Sequence, residues 1–402
     1  MSTRHFFLSA LLVSVLGLSA VSFSLRGPSF RAHPADEIVY IRYAVFLKEQ
    51  GLGAYPRLID AYVRDPGNRI AAMSSPLKAG FLVPASVLTR FFRDGFAALA
   101  CMSLAAYAVA VWCVAFFLKK EYGASTALLT ACSVAFSPLV MAMARRALTE
   151  SLFLCVCLLA IWAFTGYLRS GRMKFALCAG FLLGWATLIK ETALLVAVSF
   201  LAYLLYRSGV LKKYARVSGL VFFCALPVAA AVAVMFMLGD PRQVLEILSL
   251  NLFSLVRETN LYDVTFCSGP WYRPLMDFIM LSPGVFLLGT GYFFVHLARH
   301  DSRGETMTFL AFLAVILITA LIPYSRNVRY AILLDLPLRL GTVLMLRELF
   351  GTTFRAPAWS VPAAGIFLIA MTDYARFWDF FVANGIYDPV TPLFLRALRI
   401  IP

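Results

Sequence analysis

Apolar runs of 15 to 25 residues recur along this chain, separated by short stretches that hold most of the Lys, Arg, Asp and Glu. The runs fall at 6–23, 94–118, 124–143, 148–168, 175–189, 192–206, 217–238, 275–297, 307–323, 330–346 and 357–371. Helices of this length suit a hydrocarbon core of about 30 Å, where every backbone polar group must find an internal partner. The alternating segments of about ten residues that build a transmembrane barrel are not present. The pattern therefore predicts an all-α polytopic membrane protein with about eleven transmembrane helices in one domain, 1–402. The first run follows Arg4 and His5 and reads as a retained helix, although Ala20 and Ser22 form a weak cleavage-like pattern. No fixed-period repeat or low-complexity tract is visible.

One stretch, 76–92, is apolar but interrupted by Lys78 and Pro84, and loop charge decides how it is read. If it does not cross, the loops on one side carry 13 basic residues: Lys119, Lys120, Arg169, Arg172, Lys174, Arg207, Lys212, Lys213, Arg216, Arg299, Arg303, Arg347 and Arg355. The opposite short loops carry only five, namely Arg145, Arg146, Lys190, Arg326 and Arg329. The positive-inside rule makes the richer side cytoplasmic. The stretch then lies in the interface, within a first outer loop at 24–94. A second outer loop follows at 239–273 and a short outer tail at 372–402.

Composition agrees: 61% of the 402 residues are hydrophobic and 14% charged, far from a soluble balance. The net charge of +15 lies in short inter-span runs rather than along a stripe, so it encodes topology and not a nucleic-acid footprint. Seven of the eight cysteines sit in apolar runs and only Cys267 in a polar loop, which gives no disulfide framework and no zinc spacing. His33 is isolated, and no metal site is indicated. Phosphate-loop, dinucleotide-binding and nucleophile-elbow motifs are absent.

The same topology gathers a set of polar residues on the outer side: Asp36 and Glu37, then Arg145, Arg146 and Glu150, then Lys190 and Glu191, then Arg326, Arg329 and Tyr330. Charged groups at the hydrocarbon boundary cost a few kcal/mol unless paired or wetted, so they mark function by default. Carboxylates beside several cations fit a transfer in which one acid deprotonates a nucleophile and the cations hold an anionic leaving group; phosphate suits Arg and Lys best. Each residue also has a structural alternative. Asp36 and Glu37 could start a solvated helix, Glu150 could pair with Arg146 four residues earlier, and Lys190, Glu191, Arg329 and Tyr330 could be interfacial anchors.

In order along the chain, these segments resemble the protein O-mannosyltransferase-like family, which includes the lipid A aminoarabinose transferases. The carriers are ADEIVYIRYA (35–44), SSPLKAGFLVP (74–84), YGASTALLTACSVAFSPLVMAMARRALTESLFL (122–154), GRMKFALCAGFLLGWATLIKET (171–192), GPWYRPL (269–275) and RNVRYAILLDLP (326–337). The chain departs from the family at Glu150, where Asp is usual, and at Glu191, where a small residue is common; both bear on the phosphate pocket. No role is read for the tail residues Tyr387, Asp388 and Pro389.

The resemblance implies a GT-C-type fold with interfacial helices in the first outer loop. It implies an inverting glycosyltransferase that moves a sugar from a polyprenyl-phosphate donor to a hydroxyl of a lipid, glycan or protein, with no cofactor and no obligatory metal. Asp36 would be the general base, with Glu37 beside it and Glu150 positioning the acceptor or the base. Lys78, Lys190, Arg329 and Tyr330 would hold the carrier phosphate, with Arg145 or Arg146 as further ligands. The lipid tail would lie in a groove between spans. Compact loops point to a bacterial inner or plasma membrane, with the site facing the periplasm or exterior. A transporter or lipid-linked sugar flippase is the main alternative, but midplane sites and repeated halves are not seen. A polysaccharide polymerase or ligase would normally carry a larger late outer loop.

Overall fold

The computed structural model describes residues 2–25, 35–65, 74–209, 217–257, 270–299, 305–324, 327–350 and 359–385. His33, Cys267, Arg326 and the tail residues Tyr387, Asp388 and Pro389 lie outside them. The described residues are helical, without strands.

The helices are α1 (Thr3–Ser24), α2 (Ala35–Gln50), α3 (Tyr55–Arg64), α4 (Ala79–Leu88), α5 (Gly95–Ala135), α6 (Pro138–Ala144), α7 (Glu150–Ser170), α8 (Met173–Ile189) and α9 (Ala193–Gly209). They continue as α10 (Val217–Met237), α11 (Pro241–Arg257), α12 (Arg273–Leu281), α13 (Pro283–Arg299), α14 (Glu305–Tyr324), α15 (Asp335–Phe350) and α16 (Ser360–Phe377). A 3-10 segment, Val328–Leu334, leads into α15. Among the described residues, α1, α5 and α7 are each long and apolar enough to cross a membrane, and shorter apolar helices pack around them.

α5 is a helical hairpin rather than one rod. Gly123 has φ 82° and ψ 168°, in the region that favours glycine. The Tyr107 hydroxyl donates to the Ala135 carbonyl at 2.6 Å, although the two are 28 residues apart. A straight helix would separate them by about 42 Å. The first arm covers the predicted run at 94–118, whereas the run at 124–143 is divided between the second arm and α6. The second arm stops at Phe136, where Ser137 caps the Val140 N–H at 3.3 Å and Pro138 opens α6.

Three expectations need adjustment. The run at 275–297 is not one helix, because α12 and α13 meet at 119°. Ser282, held at φ −148° by the following Pro283, leaves the helical region there. The expected loop at 239–273 contains the 17-residue α11, bent 115° from α10, with Asp240 accepting from the Arg242 N–H at 2.9 Å. The run at 330–346 begins in the 3-10 segment rather than in an α-helix. The ambiguous stretch becomes α4, whose ten residues rise about 15 Å, half of a hydrocarbon core. α4 lies against α2 and α8. A Cβ on Gly80 would sit 2.9 Å from Leu188 and from Trp185, and the Trp185 indole donates to the Gly80 carbonyl at 3.0 Å.

Polar contacts gather at two ends of the bundle. At one, Glu121 accepts from Arg169 and from the Thr306 N–H, the Tyr122 hydroxyl accepts from the Met307 N–H at 3.1 Å, and Arg207 pairs with Glu305 at 2.8 Å. At the other, the start of α2, the turns after α6 and α8, and the 3-10 segment meet. The second end carries the candidate site.

Candidate functional site

The turn between α6 and α7 and the first turn of α2 are joined by a buried ion pair. Glu37 is fully buried and accepts from both Arg146 Nε (2.8 Å) and Nη2 (2.6 Å), and its Oε1 also accepts from the Ala147 N–H at 2.8 Å. Arg145, equally buried, points its guanidinium at backbone carbonyls, Phe381 at 2.9 Å and Ser24 at 3.1 Å. It thereby ties the end of α1 and the turn beyond α16 to the same loop.

Asp36, one residue before Glu37, is turned differently. Its side chain keeps 24% of its exposure, accepts from the Ser74 hydroxyl at 2.8 Å and faces Arg329 Nη1 at 3.3 Å. A carboxylate that is partly exposed and loosely paired is reachable by a second reactant; Glu37, with no exposure, is not. Starting a helix on Asp36 and Glu37 also suits the helix dipole.

Glu150 opens α7 and pairs with Lys190 at 3.1 Å, with Thr149 donating to its other oxygen at 3.3 Å. Lys190 lies in the turn after α8, and its ammonium also sits 4.1 Å from the centre of the Tyr330 ring, a cation–π contact. Tyr330 follows Arg329, whose N–H is held by the Asn327 side chain at 3.0 Å. Lys78 precedes α4 and donates to the Tyr40 hydroxyl at 2.5 Å. Its segment is fixed by the Tyr55 hydroxyl on the Pro76 carbonyl (2.6 Å) and the Tyr43 hydroxyl on the Ser74 carbonyl (3.2 Å).

Electrostatics make this end receptive to an anion. Three cations, Lys78, Lys190 and Arg329, lie close enough to act on one another and on Glu150. Lys78 donates its hydrogen bond to a phenol rather than to a carboxylate. Burial opposes the Lys78 charge, but Tyr40, Glu191 and Asp36 together hold its ammonium above the usual lysine range. Burial raises Tyr40 as well, so the phenol stays neutral near pH 7. Lys190 moves the other way: burial lowers it, Lys78 and Arg329 push it further down, and Glu150 pulls it back up. Repulsion among these cations shows that they share one region, and an arriving phosphate would relieve it.

Between α9, α12, α13, α14 and α15 lies an apolar groove of about 900 Å³, whose lining includes Glu305 of the opposite polar end. α13 packs on α15 and α14 on α9, so the hairpin of α13 and α14 is splayed around it. Leu275, Phe278 and Leu334 line it at the end near the site, and Leu334 is five residues from Arg329 in the same 3-10 segment. Phe293, Phe312 and Tyr206 carry it toward the opposite end.

The arrangement of helices recurs in known proteins. Residues 79–236 match the family described as dolichyl-phosphate-mannose-protein mannosyltransferase. The structure resembles ArnT from Cupriavidus metallidurans bound to undecaprenyl phosphate, with TM-score 0.54 and 14% identity over 91% of this chain and 75% of that one. This is the GT-C fold. A second GT-C relative is the Archaeoglobus fulgidus oligosaccharyltransferase tethered to an acceptor peptide, at TM-score 0.55 and 14% identity, covering 92% of this chain and 55% of that one. A third is AglB of the same archaeon with an inhibitory peptide and a dolichol phosphate, at TM-score 0.51 and 13% identity over 87% and 55% of the two chains. Comparison with curated proteins finds no match. The resemblance read from the sequence thus holds at the level of the GT-C fold, and the chain is an integral membrane protein.

The charged cluster includes two residues that the sequence did not single out. Tyr40 follows Asp36 by four positions, which places both on one face of α2, and that spacing is a signal sequence reading could use. Ser74 reaches Asp36 from 38 residues away, and no local pattern reports it. Among the described residues no group of three His, Cys, Asp or Glu side chains is placed to hold a metal.

Proposed function

We propose that the protein transfers a sugar from a polyprenyl-phosphate carrier to a hydroxyl acceptor, with inversion at the anomeric carbon. The observation that carries this is the meeting of Lys78, Lys190 and Arg329 with the reachable Asp36; an apolar groove, lined by Leu334 five residues beyond Arg329, suits a lipid tail. Asp36 accepts the acceptor's proton as the acceptor oxygen attacks the anomeric carbon. The bond from that carbon to the phosphate oxygen breaks, and the carrier leaves as polyprenyl phosphate with its charge held by the two lysines and Arg329. Glu150 keeps Lys190 in place. Glu37, Arg145 and Arg146 serve the framework, fixing the base against the α6–α7 turn, since their side chains are occupied with one another and with backbone.

ArnT with undecaprenyl phosphate and AglB with dolichol phosphate support a lipid-phosphate donor. The charge asymmetry of the loops supports a site on the outer face, and compact loops support a bacterial inner membrane. This reading calls on no metal.

The test is transfer of radiolabelled sugar from a panel of polyprenyl-phosphate monosaccharides to membrane lipid and protein extracts by purified protein, wild type against Asp36→Asn. Labelled product from the wild type, and a loss of about 10²–10⁴-fold with Asp36→Asn at equal yield, is expected. Failure of the wild type to bind any polyprenyl phosphate would sink the reading in favour of a transporter.

A further inference from the structure

Away from the charged end, the bundle interior holds an ionic cluster for which the transfer reaction has no direct use. Arg339, on α15 and wholly buried, is its hub. Its Nε donates to Asp335 at 2.7 Å, its Nη1 to the Ser133 carbonyl at 2.7 Å and the Ser133 hydroxyl at 3.0 Å, and its Nη2 to the Ser282 hydroxyl at 3.1 Å, while the same Nη2 forms an ion pair with Asp373 at 2.9 Å. One guanidinium therefore binds α15, the second arm of α5, the break between α12 and α13, and α16. Arg376 of α16 reinforces the same break by donating to the Met280 carbonyl.

The location gives the cluster a use. Asp335 is the residue at which the 3-10 segment carrying Arg329 and Tyr330 becomes α15. Ser282 is the residue at which α12 turns into α13. Leu334 and Leu338, flanking Asp335, and Phe278 and Phe286, flanking Ser282, all line the apolar groove. Arg339 thus joins the two non-helical junctions that set the phosphate-binding segment and the groove wall. Such a triad is a poor source of stability, because desolvating three charges offsets their attraction, and apolar replacements of similar volume are often neutral or better. Its geometric role is a separate matter: a planar fork can fix several elements at once, where a lysine cannot.

We infer that Arg339, with Asp335 and Asp373, is a positioning group that sets the segment bearing Arg329 and Tyr330 relative to the groove wall for the carrier phosphate. The inference rests on the proposed donor class. The test compares wild type, Arg339→Lys and the triple variant Arg339→Met/Asp335→Leu/Asp373→Leu for thermal stability in detergent and for binding of undecaprenyl phosphate. The triple variant removes all three charges, so no buried charge is orphaned and folding is expected to survive. Tenfold or greater loss of affinity in the triple variant at wild-type stability, with a smaller loss in Arg339→Lys, is the expected result. A triple variant that binds like wild type overturns the positioning role and leaves the donor assignment standing. If Arg339→Lys alone folds, wild-type affinity in it also overturns the role, since the fork would be dispensable. Wild-type protein that binds no polyprenyl phosphate overturns the donor assignment and the positioning role together.

Discussion

The Glu37–Arg146 pair joins the helix bearing the proposed base to the turn bearing Glu150, and its removal has a calculable cost. Arg146→Met leaves a carboxylate with no exposure and without the guanidinium that faces both of its oxygens. Breaking a buried pair from one side typically costs about 3–5 kcal/mol, and this variant belongs at the upper end. Glu37→Gln belongs at the lower end, near 3 kcal/mol, because the amide carbonyl can still accept a hydrogen bond and Arg146 keeps 9% of its side-chain exposure. The double variant orphans neither charge, so it should be more stable than the two losses sum to, by about 2–3 kcal/mol of coupling. Denaturation in mixed micelles, followed by fluorescence of the six tryptophans, measures all corners of the cycle. Transfer activity should fall in each single variant and recover part of the way in the double one. Single variants as stable as wild type, or losses that add without coupling, would refute the argument that Glu37 is a framework group rather than a second acid in the reaction.

Lys78→Met should weaken polyprenyl-phosphate binding by roughly 1.5–3 kcal/mol, the worth of a charge-assisted hydrogen bond, with protein yield unchanged because no carboxylate is orphaned; calorimetric titration measures it. Ala311→Trp, which puts an indole into the groove, should raise KM for long-chain donors and spare a short-chain water-soluble analogue, read by comparing the two substrates. Carrier affinity should be full where Lys190 is charged and fall as pH rises through its lowered folded value, hence below the ordinary lysine pKa of about 10.4. Lys190→Arg, which stays charged, should abolish that fall in a pH series of binding measurements.

Hydrophobic run length and loop charge, both local quantities, determined the membrane class, the alternation of chain direction and the end at which Asp36, Glu150, Lys190 and Arg329 would gather. These are legible in sequence because lipid imposes helix length and backbone satisfaction on every segment separately. Family resemblance added the proposed roles. The tertiary structure decided what side-chain direction controls. Asp36 and Glu37 are adjacent in sequence, yet helical geometry sends one toward Ser74 and Arg329 and the other into Arg146. Arg145 and Arg146 look alike in sequence, and only packing sends the first to two backbone carbonyls and the second to a carboxylate. The breaks after Met237 and at Ser282, and the Asp335–Arg339–Asp373 cluster, escaped notice because they lie within or beside apolar runs. Asp335 is only four positions from Arg339, but Asp373, Ser282 and Ser133, which complete the cluster, are 34 to 206 positions away, and no local window of sequence contains both sides of those contacts.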